Sequence, residues 1–289
     1  MYSKVLVPLD GSRLAEQIVP YAAVFAQAYG VPIELLKITD PDAREPFWPP
    51  SPDKDYLTEY ASKLFPPSLR ITSVEEQGKP AEVIVDRAKA DLACLIAMAT
   101  HGLSGLRRWF LGSIASKVVQ TTRNPLLLVR TVEQDRAPAA VSLRSVLVPL
   151  DGSALAEAIL PHVIDLARRL ALDVHLVRVF ALPLDTYVVG DAVYIGDLPE
   201  RRRAIQEDIV RYLETVAEKL KASGLTRIVT SALEGDSASE IIEVARTTPD
   251  SLIAMCTHGR SGPSRWVLGS VSEKVIHGSR DPVLIVRPQ

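Results

Sequence analysis

The sequence predicts an α/β protein made of two doubly wound, five-stranded parallel-sheet domains. Two observations carry that prediction. The first is an internal repeat: Val5-Leu-Val-Pro-Leu-Asp-Gly-Ser12 returns unchanged as Val146-Leu-Val-Pro-Leu-Asp-Gly-Ser153. Further on, Thr100-His-Gly102 and Arg108-Trp-Phe-Leu-Gly-Ser113 recur as Thr257-His-Gly259 and Arg265-Trp-Val-Leu-Gly-Ser270. The offset is 141 residues in the first block and 157 in the second, so the second copy carries 16 more residues between them. The second observation is the alternation of short runs rich in Val, Leu and Ile with helix-length amphipathic segments. Apolar runs without polar alternation read as strands covered on both faces, hence a parallel sheet between helices.

In copy one the predicted strands are 4–8, 33–38, 69–74, 92–98 and 126–129. In copy two they are 145–149, 174–179, 227–232, 252–255 and 283–286. Pro80 suits the first turn of a helix carrying Ile84 and Ala88. Its counterpart begins Ser237-x-x-Glu240, and the last helix begins Ser270-x-x-Glu273, both readable as capping boxes. The polar, unpatterned stretch 131–142 reads as a linker, giving domains at 1–131 and 143–289 with residues 132–142 between them. The copies differ most after the second strand. Copy one has a segment with five prolines between 40 and 55; copy two has 181–198 followed by a long helix from about Pro199 to Ser223. Both segments emerge at the carboxyl edge of the sheet, either as lids or as variable crossovers.

Composition narrows the function. A chain of 289 residues with 47% hydrophobic content fits two domains, each with its own core. A net charge of −2 gives no bulk attraction to nucleic acid or to an anionic membrane. No stretch is long enough to span a bilayer, and Lys4 and Asp10 bracket only a short apolar run where a signal peptide would need a longer one. Cys94 and Cys256 occupy different positions in the two copies, which argues against a disulfide scaffold and suits a reducing cytoplasm.

In an open parallel sheet, ligands bind beyond the carboxyl ends of the strands, where strand order reverses. Both repeated blocks fall there. Pro8-Leu9-Asp10 ends the first strand, and Met98-Ala99-Thr100-His101-Gly102 ends the fourth, ahead of Gly112-Ser113 at a helix start. Glycines admit an anion close to backbone N–H groups, and a helix N-terminus adds unpaired donors and partial positive charge. Arg107 and Arg108, or Arg260 and Arg265, stand in the loops to assist. Neither the Walker pattern nor the dinucleotide fingerprint occurs in the chain.

Gly102-x9-Gly112-Ser113 and Gly259-x9-Gly269-Ser270 resemble the G-x2-G-x9-G-[ST] motif of nucleotide-binding universal stress protein domains. The resemblance covers nearly the whole chain. It implies a Rossmann-like fold of the adenine-nucleotide α-hydrolase type in each half. It also implies that the halves face each other through their last strands as an internal pseudo-dimer, and that two chains associate further as a homodimer. It implies an adenine nucleotide in each half (ATP, or ADP or AMP), with Mg²⁺ held through the phosphates, and a stress-responsive sensor acting on an unknown protein partner.

Residue by residue, the resemblance assigns Asp10 and Asp151 to the adenine or ribose, beside Pro8, Leu9, Pro149 and Leu150. Ile38 and Val179 would contact the base, and Met98 and Met255 the pocket floor. Gly102, Gly112, Ser113 and Ile114, with Gly259, Gly269, Ser270 and Val271, would cradle the phosphates, flanked by His101 and His258. The motif's first glycine is Ala99 in one copy and Cys256 in the other, and Pro263 removes a backbone donor from the second loop. Site one therefore ranks above site two.

Blander roles stand beside these. Ser113 and Ser270 could be N-caps, Asp10 and Asp151 could cap the first helix, and Met98 and Met255 could be core. Trp109 and Trp266 read as packing residues, and Lys37 and Arg178, paired across the repeats, as a solvated face in preference to a phosphate contact. Gly102-Leu-Ser-Gly105 is not a nucleophile elbow, and no nucleophile, base and orienting acid fall into order. No catalytic or metal-ligating residue is assigned; turnover would be weak ATP hydrolysis at most. The rival readings are a nucleotide-free interaction module and an α-phosphate-cleaving enzyme.

Overall fold

The computed structural model describes residues 1–42, 61–63, 65–100, 111–131, 140–182, 186–189, 192–195, 198–257 and 268–288. Copy one contributes β1 (Lys4–Leu9), α1 (Val19–Tyr29), β2 (Ile33–Thr39), β3 (Ile71–Gln77), α2 (Pro80–Lys89), β4 (Cys94–Ala99), α3 (Ser113–Thr121) and β5 (Leu126–Val129). Copy two contributes β6 (Ser145–Pro149), α4 (Ala154–Glu157), α5 (Leu160–Leu170), β7 (Asp173–Phe180), β8 (Thr186–Val189), β9 (Ala192–Ile195), α6 (Leu198–Ala222), β10 (Ile228–Glu234), α7 (Ser237–Thr247), β11 (Ser251–Cys256), α8 (Ser270–Gly278) and β12 (Val283–Val286). Among the described residues, no helix is long and apolar enough to cross a membrane.

Ten strands form one sheet in the order β10-β7-β6-β11-β12-β5-β4-β1-β2-β3. Within each half all neighbours are parallel, and the order reverses between the first and fourth strands (β1/β4 and β6/β11). That reversal sends the chain to opposite faces and opens a crevice at the carboxyl ends. The halves meet where β12 pairs antiparallel with β5, in the register Val283–Leu128, Leu284–Leu127, Ile285–Leu126. The fold is thus the expected doubly wound α/β pair, joined through the last strands.

Side-chain alternation along the strands divides the core in two. Val5, Val7 and Leu9 join α1, α5 and α6 on one face, while Leu6, Ile96 and Met98 join α2, α3, α7 and α8 on the other. Both layers run through the whole sheet, so the two repeats share them.

All ten predicted sheet strands are present, but the edge strands β3 and β10 run further than their apolar runs. β3 continues through Glu75-Glu76-Gln77, because an edge strand need not be apolar on its open side. The short hairpin β8–β9 was not expected in the 181–198 crossover. Both capping boxes are corrected. Asp236 is the N-cap of α7, its carboxylate accepting from Ser239 N–H at 3.0 Å, which places Ser237 one position inside the helix. The N-caps of α3 and α8 are Gly112 and Gly269, so Ser113 and Ser270 are first helical residues and not caps.

Candidate functional site

At each strand-order reversal lies a cavity, of about 470 Å³ in the first half and 500 Å³ in the second. The first is lined by Pro8, Leu9, Asp10, Ile38, Met98, Ala99, Gly112, Ser113 and Ile114, among others. The second is lined by Pro149, Leu150, Asp151, Val179, Met255, Cys256, Gly269, Ser270 and Val271, again with others. Every described residue assigned to a pocket from sequence thus borders the matching cavity. His101, Gly102, His258, Gly259, the loop arginines 107, 108, 260 and 265, and Trp109 and Trp266 lie outside the described residues.

The floor is the carboxyl end of the central strands. Met98 and Met255 are buried within the α2/α3 and α7/α8 core layer and also face the cavities, so both roles suggested for them coincide. Cys256 lies at the strand end in the second cavity, and burial pushes its thiol up to about 12. It is therefore a neutral, weakly nucleophilic side chain at neutral pH.

One wall follows the first strand. Asp10 Oδ1 accepts from Ser12 N–H at 3.0 Å and from Ser12 Oγ–H at 2.6 Å. Ser12 Oγ in turn accepts from Ala15 N–H at 3.0 Å. The second copy repeats this with Asp151, Ser153 and Ala156 at 2.9, 2.7 and 3.1 Å. Ser153, not Asp151, is the N-cap of α4, and in copy one it is Ser12, not Asp10, that accepts an N–H from the turn that follows. The aspartates hold the serines, and Gly11 and Gly152, at φ 79° and 86°, make the turn that permits it.

The opposite wall is a helix N-terminus. Gly112 N–H bonds Thr100 O at 2.9 Å, and Gly269 N–H bonds Thr257 O at 2.8 Å, pinning the start of α3 and α8 beside the ends of β4 and β11. The first intrahelical bonds are Ser116 N–H to Gly112 O and Glu273 N–H to Gly269 O, both 2.9 Å. The N–H groups of Ser113, Ile114 and Ala115, and of Ser270, Val271 and Ser272, therefore lack a partner within their helix. Neither cap residue supplies a side-chain acceptor. Gly112 and Gly269 have φ of −55° and −64°, open to any residue, so glycine here serves access and not conformation. These donors and the helix dipole face a cavity that could hold an anion.

Charged groups that the sequence motifs did not single out complete the walls. Lys79, Lys117, Asp40 and Glu82 line the first cavity. Lys79 pairs with Asp42 at 2.5 Å and Asp40 at 3.4 Å. Asp208 of α6 and Arg178 line the second, the Arg178 guanidinium lying 4.9 Å from the Tyr212 ring centre. The solvated-face reading is corrected for Lys37, which is nearly buried and paired with Glu75 at 3.3 Å. Lys79, Lys117, Asp40, Glu82 and Asp208 were illegible because they come from elements other than the loop of the glycine motif, with no fixed spacing linking them to it.

Comparison with known proteins fits this architecture. The model of the universal stress protein family matches residues 1–130 and again 142–287. A universal stress protein of Mycolicibacterium smegmatis is 26% identical over 304 aligned positions, covering 99% of this chain and 97% of its own. A universal stress protein of Methanocaldococcus jannaschii is 31% identical over 150 positions, half of this chain and 82% of its own. Among solved structures, a universal stress protein from Archaeoglobus fulgidus superposes with a TM-score of 0.64 at 20% identity, covering 98% of both chains. At that identity the likeness speaks for the fold.

Proposed function

The chain belongs to the universal stress protein family, as a tandem member, and from that premise we propose that it binds adenine nucleotide and acts as a stress-responsive sensor, not as a dedicated enzyme. Its working units would be the domains 1–131 and 143–289, acting in the cytoplasm. ATP is the favoured occupant, with ADP or AMP as relatives and Mg²⁺ carried by the phosphates. An unidentified protein partner, with a homodimer as the larger assembly, would read the bound state.

The observation that carries this reading is the glycine-capped start of α3, opening with its N–H donors onto a cavity of about 470 Å³. The volume falls in the range of small-molecule and cofactor sites. The phosphates would lie against Ser113 and Ile114, and the base against Ile38 and Met98 with Asp10 beside the ribose. The second cavity repeats the arrangement with Ser270, Val271, Val179, Met255 and Asp151. Ala99 brings a single methyl to the floor and Cys256 a larger sulfur, which favours the first cavity.

Calorimetric titration of the whole chain with Mg·ATP tests the proposal. Saturable heat is expected, at one site or at two of unequal affinity. No signal at millimolar ATP would leave the nucleotide-free interaction module as the better account.

A further inference from the structure

Each half's last strand is followed at once by an arginine: Arg130 after β5 and Arg287 after β12, at equivalent positions of the repeat. Each crosses the seam. Arg130 Nη1 donates to Gly278 O at 3.1 Å, the last carbonyl of α8. Arg287 Nη2 donates to Gln120 O at 2.8 Å and Val119 O at 3.2 Å, in the last turn of α3. Both guanidinium groups are partly buried. Helix C-termini leave carbonyls without intrahelical donors, and a cation there complements the dipole. The helices so held are the two whose N-termini wall the cavities.

The roots of the arginines are tied as well. Val129 O accepts from Thr100 N–H at 2.8 Å, and Thr131 N–H reaches Thr100 Oγ at 3.4 Å. Thr100 O in turn accepts from Gly112 N–H. On the other side, Val286 O accepts from Thr257 N–H at 3.0 Å, and Thr257 O from Gly269 N–H. Each arginine therefore springs from the backbone beside its own cavity and grips the far end of the other cavity's helix.

We propose that Arg130 and Arg287 are reciprocal positioning residues: each half fixes the anion-binding helix of the other, so each pocket is completed across the β5–β12 seam. α3 and α8 are nine residues each, short enough to shift as rigid rods when one end is released. The ligand part of this inference rests on the nucleotide reading above; the mechanical part does not.

Hydrogen exchange on the nucleotide-free chain tests the mechanical part. Arg287→Met should speed exchange about tenfold in α3 and leave α8 near wild type, and Arg130→Met should do the reverse, as expected when a charge-assisted bond is lost. Arg287→Lys, which retains charge and donors, should recover part of the protection. Acceleration confined to the half carrying the substitution, or equal in both helices, would overturn the proposal. The ligand part is read in a Gly269→Asp background, where only the first cavity remains open: Arg287→Met should weaken Mg·ATP binding there severalfold, and more than Arg130→Met does. If the exchange pattern crosses the seam but affinity is unchanged, the arginines do not position the pockets and the proposal fails on that arm. If the wild-type chain binds no nucleotide, the family-based reading falls while the exchange result still decides the cross-tie.

Discussion

The two cavities share a frame and part company at the helix that follows the edge strand of each half, α2 after β3 and α7 after β10. In the first, α2 begins at Lys79-Pro80 with no side-chain cap. In the second, the equivalent turn begins at Asp236, which caps Ser239 and draws Lys274 to 3.6 Å. The start of α2 offers a lysine, paired with Asp40 and Asp42, and no side-chain cap; the start of α7 offers a carboxylate that caps the helix and pairs with Lys274. The floor differs in the same direction, Ala99 against Cys256. α6 also brings Ile205, Asp208 and Ile209 to the second cavity; most of the corresponding crossover of copy one, 43–60, lies outside the described residues. One template with a preserved first strand has thus produced two chemically distinct rooms.

The largest effect is expected at the cradle. Gly112→Asp should abolish binding at the first cavity, because a carboxylate would sit against the phosphates. Gly269→Asp should remove only the weaker component of the titration. Equal losses from the two variants would make the pockets equivalent.

A subtler change probes the floor. Cys256→Gly restores the glycine of the family motif and should tighten the second site severalfold, whereas Ala99→Gly should alter the first less. If Cys256→Gly leaves affinity unchanged, the sulfur is not what divides the sites. The same buried thiol, held at about 12, should resist alkylation in the native protein at pH 8 and react only on unfolding.

The halves should also respond differently to acid. Glu34 and His175 occupy matching positions on β2 and β7, each paired with the first strand, at Leu6 and Leu147 respectively. Burial raises Glu34, but Arg87 and Lys4 outweigh it and hold its carboxyl below the ordinary range. Burial holds His175 below 6.5, and its Nε2 lies 2.8 Å from Ser231 Oγ. Both shifts are depressions, so both contributions are present above the unfolded values and are lost as pH falls. For His175 the loss begins below about pH 6.5, with burial of His162 adding to it; for Glu34 it waits until below about 4.5. Hydrogen exchange between pH 7 and 5 should therefore show half two loosening first. His175→Gln should flatten that response, and an unchanged profile would assign it elsewhere.

The smallest effect is at the caps. Asp236→Ala should lower the melting temperature slightly, since Ser239 N–H loses its acceptor, while Lys79→Ala should change it less. Equal shifts would remove the distinction between the two helix starts.

Much of this was legible in the sequence for a physical reason. Strands buried on both faces must be apolar, so β1, β4, β5 and their counterparts stand out as runs. Residues that face a crevice at strand ends recur as letters because the repeat preserves the crevice. The polar extension of β3, Glu75-Glu76-Gln77, was hidden, since edge strands are free of that constraint. The hairpin β8–β9 has a cue in the sequence: Gly190-Asp191, a pair common in hairpin turns, separates two short apolar runs. The capping pattern misled because Ser237 and Ser270 each sit three residues before a glutamate, yet the cap was taken by the residue ahead of each. Arg130 and Arg287 recur at equivalent positions of the repeat, but a cation by itself gives no hint of the carbonyl it meets across the seam.

The proposed function makes the two glycine-capped helices the walls of unequal adenine-nucleotide pockets. It is tested most directly by denaturing purified wild-type, Gly112→Asp and Gly269→Asp protein and identifying the released nucleotide by mass. The prediction is an adenine nucleotide from wild type, retained by Gly269→Asp and lost from Gly112→Asp. Retention by Gly112→Asp with loss from Gly269→Asp, or the same yield from all three, would contradict it.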